Sequence, residues 1–270
     1  MLKKFVKALL YNLLPKKNGY TDLRVLNGPA KGAKLRLDVR KEGSYWLGNY
    51  DKWIFDAVPF DKIIKPGFII WDCGSYVGYY TAVFRKIIGD SGFIYAFEAS
   101  KINYERLKFL PELNNWNNIE VLNMAIGPDH TTLQFVNNLG GANGPYNLSK
   151  VYDQTENELD IEIVKCAGID ELVFELGIVA PDFIKFDLET AEEFALHNGD
   201  RVFTEKRPLI LLELHGEKAK VAAGLFFEKY HYGGVIMANM PNSTERIRSI
   251  KEFDKINGIP HMVFCIPDKI

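Results

Sequence analysis

Phe68-Ile69-Ile70-Trp71-Asp72-Cys73-Gly74-Ser75-Tyr76-Val77-Gly78 is the stretch on which the fold turns. Phe68–Cys73 is an apolar run that stops at glycine, the pattern of a strand buried on both faces. Val77–Ile88 then reads as a helix closed by Gly89 and Gly92. A buried strand, a glycine turn and a helix in that order predict a parallel α/β sheet whose ligand sits beyond the strand ends.

The same alternation continues downstream. Phe93–Phe97 is strand-like, Asn103–Leu110 helical with Pro111 near its end, and Ile119–Ala125 strand-like again. Thr131–Val136 and Asp160–Lys165 read as strands around the Gly/Asn-rich loop 137–147. Ile169–Leu176 is a short helix, Phe183–Phe186 a strand, Ala191–Glu205 a helix, Pro208–Leu214 a strand and Glu217–Tyr232 a helix. Gly234–Ala238 and His261–Ile266 close the series. The connection 239–260 carries no helical pattern, so this last pair is expected to be antiparallel, at an edge. The pattern implies a doubly wound, mostly parallel sheet in a three-layer α/β sandwich.

Upstream the pattern differs. Leu23–Leu26 and Lys34–Leu37 alternate around a loop opening with Asn27-Gly28-Pro29, which predicts a hairpin with a long connection. Tyr45, Trp46, Tyr50, Trp53 and Phe55 run into a predicted helix ending at Lys65-Pro66-Gly67. Leu2, Phe5, Val6, Leu9, Leu10, Leu13 and Leu14 recur at helical spacing, with Lys3, Lys4 and Lys7 off that stripe and Pro15 as a stop. This helix either docks on the domain or a second subunit, or rests on an anionic membrane surface. Residues 1–65 are therefore taken as an N-terminal extension and 66–270 as the ligand-binding domain.

Composition narrows the classes. The chain has 270 residues, 47% hydrophobic and 25% charged, which excludes a disordered or collagen-like chain. Lys+Arg 33 against Asp+Glu 35 gives a net charge of -2, which argues against nucleic acid as a partner. Cys73, Cys166 and Cys265 show no CxxC or zinc spacing, so a disulfide framework or structural zinc is not expected. The expected location is the cytoplasm, or the inner face of a membrane if residues 1–14 bind one.

The chemistry should lie just after the strands. Gly74 and Gly78 allow a tight turn into a helix N-terminus. Glu98 follows the next strand, 20 residues after Gly78, where an acid would hold a ribose diol. A dinucleotide turn needs G-x-G-x-x-G, and Tyr76 and Tyr79 stand where two of its glycines should be. A G-x-x-x-x-G-K-[ST] phosphate loop is absent too. A ligand with a ribose but no phosphate fits better, and S-adenosylmethionine is one.

Residues 45–216 resemble the FkbM family of S-adenosylmethionine-dependent methyltransferases, which have the Rossmann-like class I methyltransferase fold with a seven-stranded sheet. The resemblance rests on several segments in order. Tyr45-Trp46-Leu47-Gly48-Asn49-Tyr50 is similar to the family's upstream aromatic stretch. Asp72–Thr81 is similar to its D-x-G-A-N-x-G-x-Y-T motif, and Tyr95-Ala96-Phe97-Glu98 to its ribose-binding strand end. Ile184–Glu192 is similar to its I-K-x-D-x-E-G-A-E segment, and Leu212–Gly216 to its E-x-H strand end. Tyr76 stands where the family has Asn, putting a ring over the methionine part of the cofactor, and Thr190 where it has Gly. The resemblance implies O-methylation of sugars, glycans or related natural products.

Site expectations follow. Asp72, Gly74, Ser75, Tyr76, Gly78, Glu98, Ala99 and Asp187 are candidates for the cofactor, and Tyr45, Trp46 and Tyr50 for the acceptor pocket. Asp187 could instead cap the next helix, which Glu189 and Thr190 are better placed to do. Glu213 and His215, two apart on one strand, face the same way. His215 is the candidate base, oriented by Glu213 or Asp187. A divalent metal on Asp187, Glu213 and His215 is the competing version, which nothing in the spacing demands. The acidic run Asp153, Glu156, Glu158, Asp160 and Glu162 reads as a solvated loop. A nicotinamide oxidoreductase and a noncatalytic adenosine-ligand or glycan-binding module are the alternatives.

Overall fold

The structure is a computed structural model that describes residues 14–16, 19–136, 144–145, 161–236, 246–256 and 262–268. The expected helix over residues 1–14 (apart from Leu14), loop 137–147 (apart from 144–145), the acidic residues Asp153 to Asp160 and much of the 239–260 connection lie outside the described residues.

The sheet is built as the alternation predicts. Strands β1 (Thr21–Arg24) and β2 (Lys34–Leu37) form the antiparallel hairpin. Strands β3 (Ile69–Cys73), β4 (Phe93–Phe97), β5 (Ile119–Leu122), β10 (Phe183–Phe186), β11 (Leu209–Glu213), β12 (Tyr232–Ile236) and β13 (Met262–Pro267) make one 7-stranded sheet. Its order is β12-β13-β11-β10-β3-β4-β5. The pairs β5–β4, β4–β3, β3–β10 and β10–β11 are parallel, while β13 runs antiparallel to both its neighbours. The last two strands do pair antiparallel at an edge, with β13 inserted between β12 and β11.

Side-chain alternation divides the core between the two faces. Ile70, Ile94, Phe183, Leu211 and Phe264 pack on one face with the hairpin and helix α4 (Tyr79–Ile88). Trp71, Tyr95, Ile184, Ile210 and Val263 pack on the other, with α7 (Ile169–Phe174), α8 (Glu192–His197) and α9 (Glu217–Tyr230). Leu23, Val25, Leu35 and Leu37 of the hairpin segment share the first cluster with Ile70, so this part of the chain covers one sheet face.

Five expectations need correction. The aromatic stretch and the helix after it form three short helices, α1 (Gly43–Leu47), α2 (Lys52–Ala57) and α3 (Phe60–Ile63), separated at Gly48 and at Pro59. Asn103–Leu110 is replaced by α5 (Lys101–Leu107) and α6 (Leu110–Asn114). Pro111 sits in the first turn of α6, where its missing N–H costs nothing. Ile119–Ala125 divides into β5 and β6 (Ala125–Ile126), because Asn123 Nδ2 donates to the Glu98 and Ala99 carbonyls, each at 2.9 Å, and bends the chain. β6 joins a second sheet, ordered β6-β9-β7-β8, with β7 at Thr131–Val136, β8 at Gly144–Pro145 and β9 at Ile161–Ala167. Ala191–Glu205 is α8 followed by a π-helical turn at Val202–Lys206. The Asn198 carbonyl accepts from the Ile169 and Asp170 amides at 2.7 and 3.2 Å, which draws the chain out of the helix. In the last connection, Ile250–Phe253 forms a short helix, α10. No helix among the described residues is long and apolar enough to cross a membrane.

Candidate active site

The turn after β3 is shaped by backbone packing. Gly74 has φ +81°, and a Cβ there would lie 1.8 Å from the Asp187 carbonyl oxygen. Its amide and that of Ser75 both donate to the Phe97 carbonyl at 3.0 Å. Gly78 has φ +82°, and a Cβ there would press on Leu107 and Leu110 at 2.7 Å. These glycines therefore fit β3, β10 and α5 together at one place.

A cavity of about 940 Å³ opens above this turn. Gly74, Tyr76, Glu98, Ala99, Asp187, Tyr45 and Tyr50 line it, as the sequence reading expects. Asp72, Ser75, Gly78 and Trp46 do not, and they support the wall from behind. Asp72 is wholly buried; its carboxylate accepts from the Thr81 hydroxyl and stands 3.7 Å from Lys185 Nζ. Ser75 Oγ donates to the Asp72 carbonyl at 2.6 Å. Trp46 packs on the core, and its carbonyl accepts from the Leu26 amide.

Glu98 is 6% exposed and held by three local donors. Its Oε2 accepts from the Tyr76 amide at 2.8 Å, and its Oε1 from the Ser100 amide at 2.9 Å and from Asn103 Nδ2 at 3.4 Å. Burial pushes its carboxyl up to about 7, even though the two backbone donors oppose the rise. One acceptor site remains, on Oε2, because each carboxylate oxygen offers about two and the three donors use the rest.

Behind the Asp187 side of the cavity lies a charge cluster, of which Asp187 and Glu189 line the cavity while Lys185, Glu213 and His215 do not. Lys185, on β10, precedes Asp187 by two residues, and their side chains meet. It is 2% exposed, with Nζ 3.1 Å from Asp187 Oδ2 and 3.3 Å from the Gly74 carbonyl. Burial disfavours its charge, but Asp187, Asp72 and Glu213 outweigh burial and hold the ammonium protonated. Asp187 caps no helix: α8 starts at Glu192, with Ala191 at its cap position, and no side chain caps it. The Glu189 and Thr190 expectation fails for the same reason. These two residues have φ +49° and +89°, and the second is a glycine conformation held by a β-branched residue.

His215 stands among carboxylates. Its short partner is Glu192, which the sequence reading assigned no role: Nδ1 lies 2.7 Å from Glu192 Oε1. Nε2 faces Glu213 at 3.4 Å, Glu189 at 3.8 Å and Asp187 at 4.0 Å. Glu192, which is wholly buried, holds the ring at Nδ1, while Glu213, as expected, stands beside it at Nε2. Burial works against an imidazolium, but the hydrogen bonds and charges of Glu192 and Glu213 push the ring up to about 10. Asp187, Glu213 and His215 each offer a ligand atom within 4.8 Å of the others, a mixed O/N set that fits a divalent ion. The bond from Nδ1 to a carboxylate leaves Nε2 as the ligand atom, the usual arrangement behind a metal-bound histidine.

Sequence reasoning left out Lys185, Glu192, Glu42 and Arg106. A lysine inside an apolar strand was the available signal for Lys185. None existed for Glu42 and Arg106, a buried pair 64 residues apart at 2.8 Å.

The family model described as methyltransferase FkbM domain matches residues 72–253. No curated protein matches. Among solved structures, the methyltransferase FkbM from Methylobacillus flagellatus KT is 12% identical, covering 98% of this chain and 59% of that one, with a TM-score of 0.48. This chain therefore spans about three fifths of that protein's length. M. jannaschii TYW2 in complex with AdoMet is 15% identical over 94% of this chain and 86% of that one, with a TM-score of 0.43. Precorrin-6y C5,15-methyltransferase from Geobacter metallireducens GS-15 is 11% identical over 76% and 82%, with a TM-score of 0.38.

Proposed function

This chain belongs to the FkbM methyltransferase family, and from that premise we propose that it moves the methyl group of S-adenosylmethionine to a hydroxyl of a sugar, glycan or related natural product. One observation carries the reading. A single cavity has a ribose-type acid, Glu98, on one wall and Asp187, beside the His215 cluster, on another. Tyr45 and Tyr50, stacked with centroids 4.0 Å apart, offer the aromatic surface that a sugar ring packs on.

When bound, S-adenosylmethionine supplies a methyl group on a positively charged sulfur that is already a good leaving centre. The protein's work is alignment and proton removal. Glu98 receives a ribose hydroxyl, and Ala99, Ile102, Met124 and Ile126 form the apolar wall for the base. Tyr45 and Tyr50 hold the acceptor ring toward Asp187. A sugar hydroxyl is a poor nucleophile at neutral pH, so its proton must leave as the new bond forms.

Two versions of that last step remain, and an observation favours each. In the first, His215 takes the proton, with Glu192 holding the ring in place. Because its carboxylate neighbours keep His215 protonated, this version works best at high pH. In the second, Asp187, Glu213 and His215 hold a divalent metal that would polarise the hydroxyl. Radiolabelled methyl transfer to a panel of hydroxylated sugars, nucleotide-sugars and lipid-linked glycans tests the whole reading. Incorporation into a sugar hydroxyl supports it. Labelling of nitrogen or carbon acceptors alone overturns O-methylation.

A further inference from the structure

Tyr76, the residue that departs from the family's Asn, closes a ring of hydrogen bonds. Its amide donates to Glu98, and its hydroxyl donates to Glu42 Oε1. Arg106 Nη1 donates to both Glu42 oxygens at 2.8 and 3.0 Å, and its Nη2 donates to Asn103 Oδ1 at 2.8 Å. Asn103 Nδ2 returns to Glu98. The ring ties the residue before α1, the β3 turn, helix α5 and the ribose acid together. The ion pair within it is buried, Arg106 at 5% and Glu42 at 4% exposed.

One donor in this ring is unused. Arg106 Nε is buried and has no hydrogen-bond partner among the described residues. The guanidinium lies against the Tyr20 and Tyr76 rings, with its carbon 4.7 and 5.1 Å from their centroids. Arg106, Tyr20, Tyr76, Asn103 and the exposed Lys41 all line the cavity. An unsatisfied charged donor in such a place costs free energy that an anionic ligand atom would recover.

The walls say which part of a ligand comes here. From Glu98, the side formed by Ile102, Met124, Ala125 and Ile126 is apolar and suits a base. Apart from Glu98, Asp187 and Glu189, the charged lining residues are Asp38, Lys41, Glu42 and Arg106. Asp38 is already held by Arg40 and Glu42 by Arg106, so Lys41 and the spare Arg106 donor are what this lining offers a carboxylate. We infer that Arg106 and Lys41 form a carboxylate subsite for the amino acid portion of the cofactor, with Arg106 Nε–H as the directed donor. The inference rests on the cofactor assignment above. Tyr76 then holds the guanidinium in position, and its departure from Asn belongs to the binding device.

Calorimetry with two probes tests this. S-Adenosylhomocysteine carries the carboxylate, and 5′-methylthioadenosine has the same nucleoside without it. Arg106→Lys keeps a cation beside Glu42 but removes the Nε donor. It should weaken S-adenosylhomocysteine on the order of tenfold and leave 5′-methylthioadenosine unchanged. The double variant Glu42→Gln/Arg106→Gln removes the ion pair without stranding a buried charge, and should show the same split. Equal weakening of both probes would mean that the ring only braces the fold, and would overturn the subsite. Unchanged binding of both would also overturn it, leaving any carboxylate at this wall to the acceptor. If the wild type binds neither probe, the cofactor assignment fails, and the subsite with it.

Discussion

The Glu98 end of the cavity and the charge cluster behind its Asp187 end are built on opposite plans. At Glu98 the acid is met by donors from its own neighbourhood: the amide of Ser100, the side chain of Asn103 and the turn at Tyr76. At His215 the groups come from the turn after β10, α8 and the end of β11, and carboxylates outnumber cations. The first end is a finished hydrogen-bonded cradle suited to holding a neutral diol. The second carries excess negative charge that a proton, a metal or a substrate must balance, as expected where a proton is moved.

The largest expected effect is at the charged end. With a substrate in hand, His215→Ala should lower kcat on the order of a hundredfold or more, with S-adenosylhomocysteine affinity unchanged. An unimpaired variant would remove His215 from both versions of the chemistry. Chelation sharpens the point. Activity that survives EDTA excludes the metal version. Loss that manganese or magnesium restores favours it and excludes His215 as a free base. In the metal-free version kcat should climb with pH toward about 10, because His215 must first lose the proton its neighbours hold.

Effects at the cradle end should be smaller and confined to binding. Glu98→Ala should weaken S-adenosylhomocysteine by about 2 kcal/mol, since the ribose loses a charged acceptor. Calorimetry that finds no change would break the ribose assignment. The acid is raised to about 7, and the diol needs the ionised form. Affinity should therefore improve from pH 6 to pH 8, by up to about tenfold, and then level off. The Glu98→Gln variant should lack this dependence; a wild-type profile flat across pH 6–8 would show that Glu98 does not titrate with ligand.

The smallest expected effect concerns the strained turn between the two ends. Thr190 holds φ +89°, so Thr190→Gly should relieve backbone strain against a modest gain in unfolded-state entropy. A net gain on the order of 1 kcal/mol would raise Tm by about 2–4 °C. A lower Tm would show that the threonine side chain contributes more than its backbone costs.

Local pattern was enough for much of this protein. Buried strands, glycine turns and period-3.6 helices made the parallel sheet legible, and with it the row of strand ends carrying Glu98, Asp187, Glu213 and His215. Each of those signals spans a few residues and depends on side-chain direction along one element. Element ends were less legible. Pro111, Asn123 and Asn198 act through hydrogen-bond geometry that a one-dimensional pattern does not contain.

The tertiary structure alone decided which groups face one another. Glu192 is 23 residues from His215, and Glu42 is 64 from Arg106. Nothing in their local sequence marks them as partners. It also decided that Asp72 works behind the cavity wall, since burial and the Thr81 and Lys185 contacts arise only when β3 packs beside β10 and beneath α4. The physical reason is the same in each case. Burial and charge pairing are properties of the space between elements, and a sequence specifies that space only through the whole fold.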